Sequence, residues 1–431
     1  MYKSIVPLVL IFIFAGCLGL EPKSEIKPNQ KAFEEEDAYI LLALRSEQIG
    51  DYKSAAKIFE MTYEKSDKKE YLYRSLQNEL SAKDNEKVVL RIDEILKGTL
   101  SDLSLVRMKI IALIQLQKLE EAKNLALKLV SLTRKVDDYL LVSGIYVEQK
   151  KFDTAVKYLE SAYAQEYNEK IMDKISIILY VNLQRKKDAI AQLETHSRMH
   201  GCSKLICSRL LGFYSDENNI DGLLSTSLRL YEIDPNDETT KRIIQIYAYQ
   251  KNYVKLIAFL QKSGGDDELL LQLYINAQNY AKAAPLAQKL YFERGDVTFL
   301  AQSAVYEYES SADKNDTSMQ NRVIKKLKKA VQIKETPLFL NYLGYLLIDH
   351  EIDVEAGMEY VKKALKREPT SLFYLDSLAW GYYKLGECKR AKEIMDKVVY
   401  LEGGDDEEVV FHVKIINKCL EIKNKESISI K

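Results

Sequence analysis

One short pattern of residues recurs along most of the chain, and it limits the fold more than any other feature of the sequence. Each copy has a turn, a bulky residue, a small residue three positions later, and apolar residues four and seven positions beyond that. Clear copies place the small residue at Ala55, Ala155, Ala283 and Ala391. Upstream of each copy, apolar residues recur at spacings of three and four, which is the stripe of an amphipathic helix. The pattern therefore predicts pairs of helices joined by short turns.

The composition agrees with a helical body and excludes some classes of partner. The 431 residues include only 7 prolines and 17 glycines, and 47% are hydrophobic, so neither frequent chain breaks nor wholesale disorder is expected. Lysine and arginine total 63 and aspartate and glutamate total 64, which gives a formal net charge of −1. This balance provides no electrostatic reason to expect nucleic acid or an anionic membrane surface as the partner.

Two neighbouring segments carry the clearest copies, from Leu340 through Ala364 to Pro369 and from Leu375 through Tyr382 to Val399. They resemble the tetratricopeptide (TPR) family, whose unit is 34 residues of helix, turn and helix. The resemblance implies an all-α, right-handed superhelical solenoid of antiparallel helix pairs with about eleven repeats. Another helical-pair repeat with a different twist is the alternative. One pair cannot bury its apolar stripe alone, so stability comes from stacking on neighbours.

A 34-residue frame predicts where the units begin and where the array is interrupted. The expected starts lie near residues 36, 70, 103, 136, 170, 204, 237, 264, 298, 337 and 372. The array is expected to cover 36–309 and 319–405, separated by a polar inserted loop at 310–318. A capping helix is predicted at 406–422, followed by a charged tail at 423–431.

The N-terminus combines a positive charge, an apolar run and a cysteine. Lys3 precedes the run from Ile5 to Phe14, and Ala15 and Gly16 stand directly before Cys17. This arrangement resembles the lipobox of bacterial lipoprotein signal peptides, although the family usually has leucine where Phe14 stands. The resemblance implies that 1–16 is a signal peptide, that Cys17 is lipidated after cleavage, and that 17–35 is a flexible tether. A retained anchor helix is the alternative, but the run is shorter than the roughly 20 residues that a spanning helix needs.

Nothing in the sequence indicates catalysis or a cofactor, so we predict a binding protein and not an enzyme. Acidic clusters at 266–268 and 405–408 each follow a Gly-Gly pair and precede an apolar helix. Glycine that ends one helix and carboxylates that cap the next explain both clusters without a metal.

Four of the five cysteines suggest two further features. Outside the cytosol, where the signal peptide would place the chain, cysteines usually pair. We therefore predict a disulfide between Cys202 and Cys207, with free thiols or a zinc site that adds His196 and His200 as alternatives. Cys388 and Cys419 are predicted to form a second disulfide, because the ends of their antiparallel helices should lie close together. Two buried thiols are the alternative for this second pair.

In the TPR family the first helix of each unit lines a concave face, so the resemblance implies that its non-core residues contact the partner. In the two clearest units these residues are Asn341, Tyr345, Ile348, Phe373, Asp376, Trp380 and Tyr383. Aromatic side chains beside hydrogen-bonding groups suit a peptide. For Trp380, ordinary packing against a neighbouring helix is an equally good interpretation.

These observations predict a membrane-tethered scaffold that binds a protein or peptide in the bacterial cell envelope, where it would help to assemble or stabilise an envelope complex. Leu18, which follows the lipidated cysteine, favours the outer membrane facing the periplasm by analogy with other lipoproteins. A regulator that binds a peptidoglycan enzyme or peptidoglycan itself is the alternative. A small-molecule substrate is not expected.

Overall fold

The structure is a computed structural model that describes residues 31–400 and 407–429, and within them it has 23 α-helices and no strand. The predicted all-α class is therefore confirmed for the described residues. The predicted signal peptide, Cys17 and most of the predicted tether lie outside them, as do residues 401–406 and 430–431. The chain divides at residue 217 into two units, which are considered separately.

The described part of the first unit contains five helix pairs and one further helix. The pairs are α1 (Glu36–Gln48) with α2 (Tyr52–Ser66), α3 (Lys69–Ser81) with α4 (Asn85–Leu96), α5 (Leu103–Gln115) with α6 (Leu119–Thr133), α7 (Val136–Glu148) with α8 (Phe152–Glu166), and α9 (Glu169–Ile177) with α10 (Lys186–His200). A π-helical turn, Ile178–Asn182, directly continues α9. The unit ends with α11 (Lys204–Asp216).

The second unit opens with α12 (Ile220–Ile233) and continues with five pairs in its described part. These are α13 (Asp237–Tyr249) with α14 (Tyr253–Ser263), α15 (Asp267–Asn276) with α16 (Tyr280–Arg294), α17 (Val297–Ser310) with α18 (Thr317–Ile333), α19 (Pro337–Asp349) with α20 (Val354–Arg367), and α21 (Leu372–Lys384) with α22 (Cys388–Tyr400). A last helix, α23 (Glu407–Ser429), follows.

The first helices begin within three residues of the predicted unit starts, from residue 36 of α1 to residue 372 of α21. Two predicted boundaries need adjustment. The inserted loop is shorter than 310–318, because α17 extends to Ser310 and α18 already begins at Thr317. The capping helix α23 extends to Ser429 and does not end near residue 422.

Each pair is held by close packing around small residues. Ala55, Ala155, Ala283 and Ala391 are all fully buried, as the repeat pattern predicts. First helices of successive pairs also contact one another, for example α3 with α5 and α19 with α21. This mutual contact is how stacked pairs bury the stripe that one pair would leave exposed.

The helices α19 and α20 approach so closely that their backbones touch. A Cβ atom placed on Gly344 would lie 2.6 Å from the carbonyl oxygen of Gly357. Gly344 lies in the second half of α19 and Gly357 in the first turns of α20, so the two helices run antiparallel. Only glycine allows such close contact at these two positions.

The turn inside a pair has a recurrent backbone conformation. In nine of the ten pairs in the described residues, one turn residue has a positive φ, as Lys150 does at +56° between α7 and α8. Glycine fills this position only at Gly50 and Gly386; the other seven turns use lysine, glutamine or glutamate. The left-handed conformation is therefore imposed by helix pairing and not by the preference of the residue.

The acidic cluster at 266–268 acts as a helix cap, as predicted. Gly264 ends α14 with a φ of +63°, and the Asp266 carboxylate accepts a hydrogen bond from the backbone N–H of Leu269 at 2.9 Å. Asp267 accepts a hydrogen bond from Lys289 at 2.6 Å. In the second cluster, residues 405 and 406 lie outside the described part of the chain, and Glu407 and Glu408 lie in the first turn of α23.

None of the helices in the described ranges is both long enough and apolar enough to span a bilayer.

Candidate partner-binding surface

Four of the seven residues predicted to contact a partner are accessible in the second unit. Phe373 is 70% exposed, and Asn341, Tyr345 and Tyr383 are half-buried. They lie on the first helices α19 and α21, where the resemblance placed them. These four residues therefore remain candidates for partner contact.

The prediction is wrong for the other three, because Ile348, Asp376 and Trp380 are buried. Ile348 fills the space that glycine leaves, since a Cβ atom on Gly357 would lie only 2.8 Å from its side chain. Asp376 and Trp380 are covered by α23, which packs against α21. Trp380 therefore follows the packing alternative that the sequence left open.

The residue that covers them is His412 of α23, which the sequence pattern did not single out. Its Nδ1 atom lies 3.0 Å from each carboxylate oxygen of Asp376, and its ring stacks on Trp380 with centroids 4.0 Å apart. The indole N–H of Trp380 in turn donates to Asp349 Oδ1 at 2.9 Å. His412 falls in one apolar stripe with Val409 and Ile416, and this spacing is the sequence signal that could have predicted its burial.

Around Trp380 and Tyr308, aromatic side chains from three helices form what we term the C-terminal aromatic surface. It consists of Tyr342, Tyr345, Tyr383 and Phe411. Tyr383 stacks on Trp380 at 4.7 Å, and the Phe411 ring lies 6.2 Å from it. Phe411 is 53% exposed, so α23 adds a residue to the surface while it covers others.

Carboxylates accompany the tyrosines of this surface. The Tyr342 hydroxyl donates to Glu309 Oε1 at 2.5 Å, and the Tyr345 hydroxyl donates to Glu408 of α23. Burial raises the pKa of both tyrosines, and these carboxylates raise it further. Burial also raises the pKa of the adjacent Tyr308 to about 12, with contributions from Asp349, Glu309 and Glu408. Tyr342 and Tyr345 are therefore neutral hydroxyl donors at physiological pH.

A lysine of the inserted loop also contacts this region. Lys314 places its Nζ atom 4.2 Å from the ring centroid of Tyr308 and 3.6 Å from Glu309 Oε2. The ammonium group thus combines a cation–π contact with an ion pair. Lys314 thus places a cation of the chain itself beside the C-terminal aromatic surface.

The side chains proposed for zinc do not converge on one point. The sulfur atoms of Cys202 and Cys207 lie at bonding distance from each other, with Cα atoms 5.4 Å apart. The Nδ1 atom of His196 lies 2.7 Å from the hydroxyl of Tyr163, while His200 stacks on Tyr167. Burial lowers the pKa of His196, and His200 lowers it further. Within the described residues, no group of three metal-binding side chains is placed to hold an ion.

Cys388 and Cys419 are also brought together, with sulfur atoms at bonding distance and Cα atoms 5.9 Å apart. Cys388 is the first residue of α22, and Cys419 lies within α23. A bond between them would attach α23 covalently to the last helix pair.

No protein-family model matches this chain, and no curated protein is significantly similar to it. Among solved structures, one of Naa15/Naa10 bound to HypK-THB is similar over 87% of this chain, with 13% identity and a TM-score of 0.29. The chain spans 65% of the length of that protein. The crystal structure of the APC/C hetero-tetramer Cut9-Hcn1 is similar over 89% of this chain and 97% of its own, with 12% identity and a TM-score of 0.36. Similarity at this level assigns no activity or partner to the chain.

Proposed function

We propose that this protein is a lipid-tethered scaffold of the bacterial cell envelope that holds a protein or peptide on its C-terminal aromatic surface. The surface itself is the observation that carries the proposal. It combines the exposed ring of Phe411 with the tyrosine hydroxyls of Tyr342 and Tyr345. The exposed ring of Phe373 lies on α21, the helix that also carries Tyr383. Aromatic residues dominate the energy of protein interfaces, and clustered exposed aromatics mark interaction sites.

The lipid tether would raise the local concentration of the partner at the membrane. A lipid on Cys17 would hold the scaffold at the membrane, so that a bound partner is also kept at that surface. We propose the outer membrane facing the periplasm as the location, and assembly or stabilisation of an envelope complex as the role. Sequence resemblance at residues 14–18 supports the location, and the aromatic surface supports the protein binding that such a role requires.

In-cell crosslinking tests the binding surface. A photoreactive amino acid at position 383 should capture a defined protein, identified by mass spectrometry. Tyr249 provides a matched control, since it is a 76% exposed tyrosine on α13 of the same unit and does not belong to the surface. Capture of the same set of proteins from both positions, or of none from position 383, would refute the binding proposal.

Metabolic labelling tests the tether separately. Labelled palmitate should be incorporated into the wild-type protein and not into Cys17→Ser, which should also leave the membrane fraction. A wild-type protein without label would refute the lipid anchor and leave the binding surface to be judged by crosslinking alone.

A further inference from the structure

We infer that the partner segment held by the C-terminal aromatic surface is basic and inserts lysine or arginine side chains between the tyrosines and carboxylates. The inference rests on the proposed function of this surface and specifies the chemistry of its partner. It follows from the charges around the surface and from the placement of Lys314 and Lys384.

The first observation is that carboxylates from three separate helices meet at the tyrosines. Glu309 comes from α17, Asp349 from α19 and Glu408 from α23. Each accepts a hydrogen bond from an aromatic residue, from Tyr342, Trp380 and Tyr345 respectively. Ring hydroxyl and indole donors thus fix the carboxylates at the edges of the aromatic rings.

The second observation is the local balance of charge. Lys314 lies next to Glu309, and Lys384 donates to Glu351 Oε1 at 2.8 Å and to the backbone oxygen of Asp349 at 3.1 Å. These two ammonium groups lie among the carboxylates of Glu309, Asp349 and Glu351. Among these residues carboxylates therefore outnumber ammonium groups, although the whole chain has a net charge of only −1.

The third observation is that the chain already places cations in this setting. Lys314 lies over the ring of Tyr308 at 4.2 Å, and Lys384 lies over the ring of Trp380 at 5.2 Å. An ammonium or guanidinium group over an aromatic face gains a cation–π contact, and a nearby carboxylate adds an ion pair. A basic partner segment would repeat this combination at Tyr345, between Asp349 and Glu408.

Charge complementarity of this kind governs the rate and specificity of association, and it weakens as salt is added. The full-length protein in detergent should be titrated with two fluorescein-labelled 12-residue peptides, one alternating arginine with leucine and one alternating glutamate with leucine. The basic peptide should bind at least about tenfold more tightly than the acidic one, and its affinity should fall between 50 mM and 500 mM salt.

Substitutions then test whether the carboxylates of the surface cause the preference for the basic peptide. Glu309→Gln and Asp349→Asn keep a hydrogen-bond acceptor and remove the charge, and each should weaken the basic peptide about fivefold or more. Glu232→Gln on α12, an exposed position outside the surface, is the matched control and should bind as the wild type does. Equal binding of the two peptides, binding of neither, or unchanged binding by both surface variants would overturn the inference.

The protein captured at position 383 gives an independent outcome. A crosslinked segment rich in lysine or arginine supports a basic partner. An acidic or uncharged segment overturns this inference but leaves the scaffold function in place, whereas failure to capture any protein refutes the scaffold function itself.

Discussion

The imidazole of His412 lies between Asp376 and Trp380, with Nδ1 3.0 Å from both carboxylate oxygens and the ring 4.0 Å from the indole. His412 is 2% exposed. One side chain of α23 therefore satisfies a buried carboxylate of α21 and covers its aromatic neighbour. We expect the stability of the last helix pair to depend on this contact.

Replacing His412 with alanine should loosen α23, because Asp376 would stay buried without its partner. We expect a loss of about 2 kcal/mol in local stability. Trp380 is the only tryptophan of the chain, so its fluorescence reports the unfolding of this region. In the variant, the shift to longer wavelength should occur at a lower urea concentration than in the wild-type protein. His200→Ala, an exposed histidine in the first unit, is the control and should leave this transition unchanged. Equal transitions for the two variants would contradict the role of His412.

Gly344→Ala should overpack the contact between α19 and α20. The new methyl group would meet the backbone oxygen of Gly357 at 2.6 Å and Val361 Cγ2 at 2.7 Å, at a cost of about 1–3 kcal/mol. In α11, an added Cβ on Gly212 meets no atom within 4 Å, so Gly212→Ala should instead stabilise by about 0.5–1 kcal/mol. Thermal unfolding of both variants measures the difference in stability. Equal effects of the two substitutions would show that the backbones of α19 and α20 do not lie this close together.

The left-handed turn residues predict a gain in stability. Lys150→Gly should stabilise the turn between α7 and α8 by about 0.5–1 kcal/mol, because glycine adopts a φ of +56° without steric cost. Lys150→Ala removes the same side chain but keeps the Cβ atom, so it should give no such gain. Amide hydrogen exchange in α7 and α8 provides the measurement. A gain with alanine as large as with glycine would rule out this explanation.

We propose that both cysteine pairs are disulfides, and we expect them to differ in effect. The bond between Cys388 and Cys419 closes a separation of 31 residues, whereas that between Cys202 and Cys207 closes only 5. The loss of entropy in the unfolded chain predicts a stabilisation of about 4 kcal/mol for the first disulfide and about 2 kcal/mol for the second. Cys419→Ser should therefore speed amide exchange throughout α23, while Cys202→Ser should leave α23 protected.

Peptide mapping of the non-reduced protein tests the pairing directly. It should recover the Cys202–Cys207 and Cys388–Cys419 linkages. Free thiols at these four positions, or crossed pairs, would contradict the assignment.

The repeat pattern was sufficient to place the helix pairs, because buried alanines and turn spacings are local properties of the sequence. The repeat pattern was not sufficient to identify which residues of α19 and α21 are exposed to solvent. The burial of Asp376 and Trp380 depends on α23, and that of Ile348 depends on the close approach of Gly357. The bonds from Tyr342 to Glu309 and from Tyr345 to Glu408 join residues 33 and 63 positions apart. Such pairings arise only when separate helix pairs stack.

The π-helical turn at Ile178–Asn182 has a consequence for the length of the first helix in its pair. The first helices α7 and α13 are each 13 residues long, whereas α9 and its π turn together run from Glu169 to Asn182 and so hold one residue more. The widened turn absorbs that residue, and Gln184 still takes the left-handed position before α10. A first helix with one additional residue can thus keep its left-handed turn residue in place before the second helix, because the wider turn takes up the additional length.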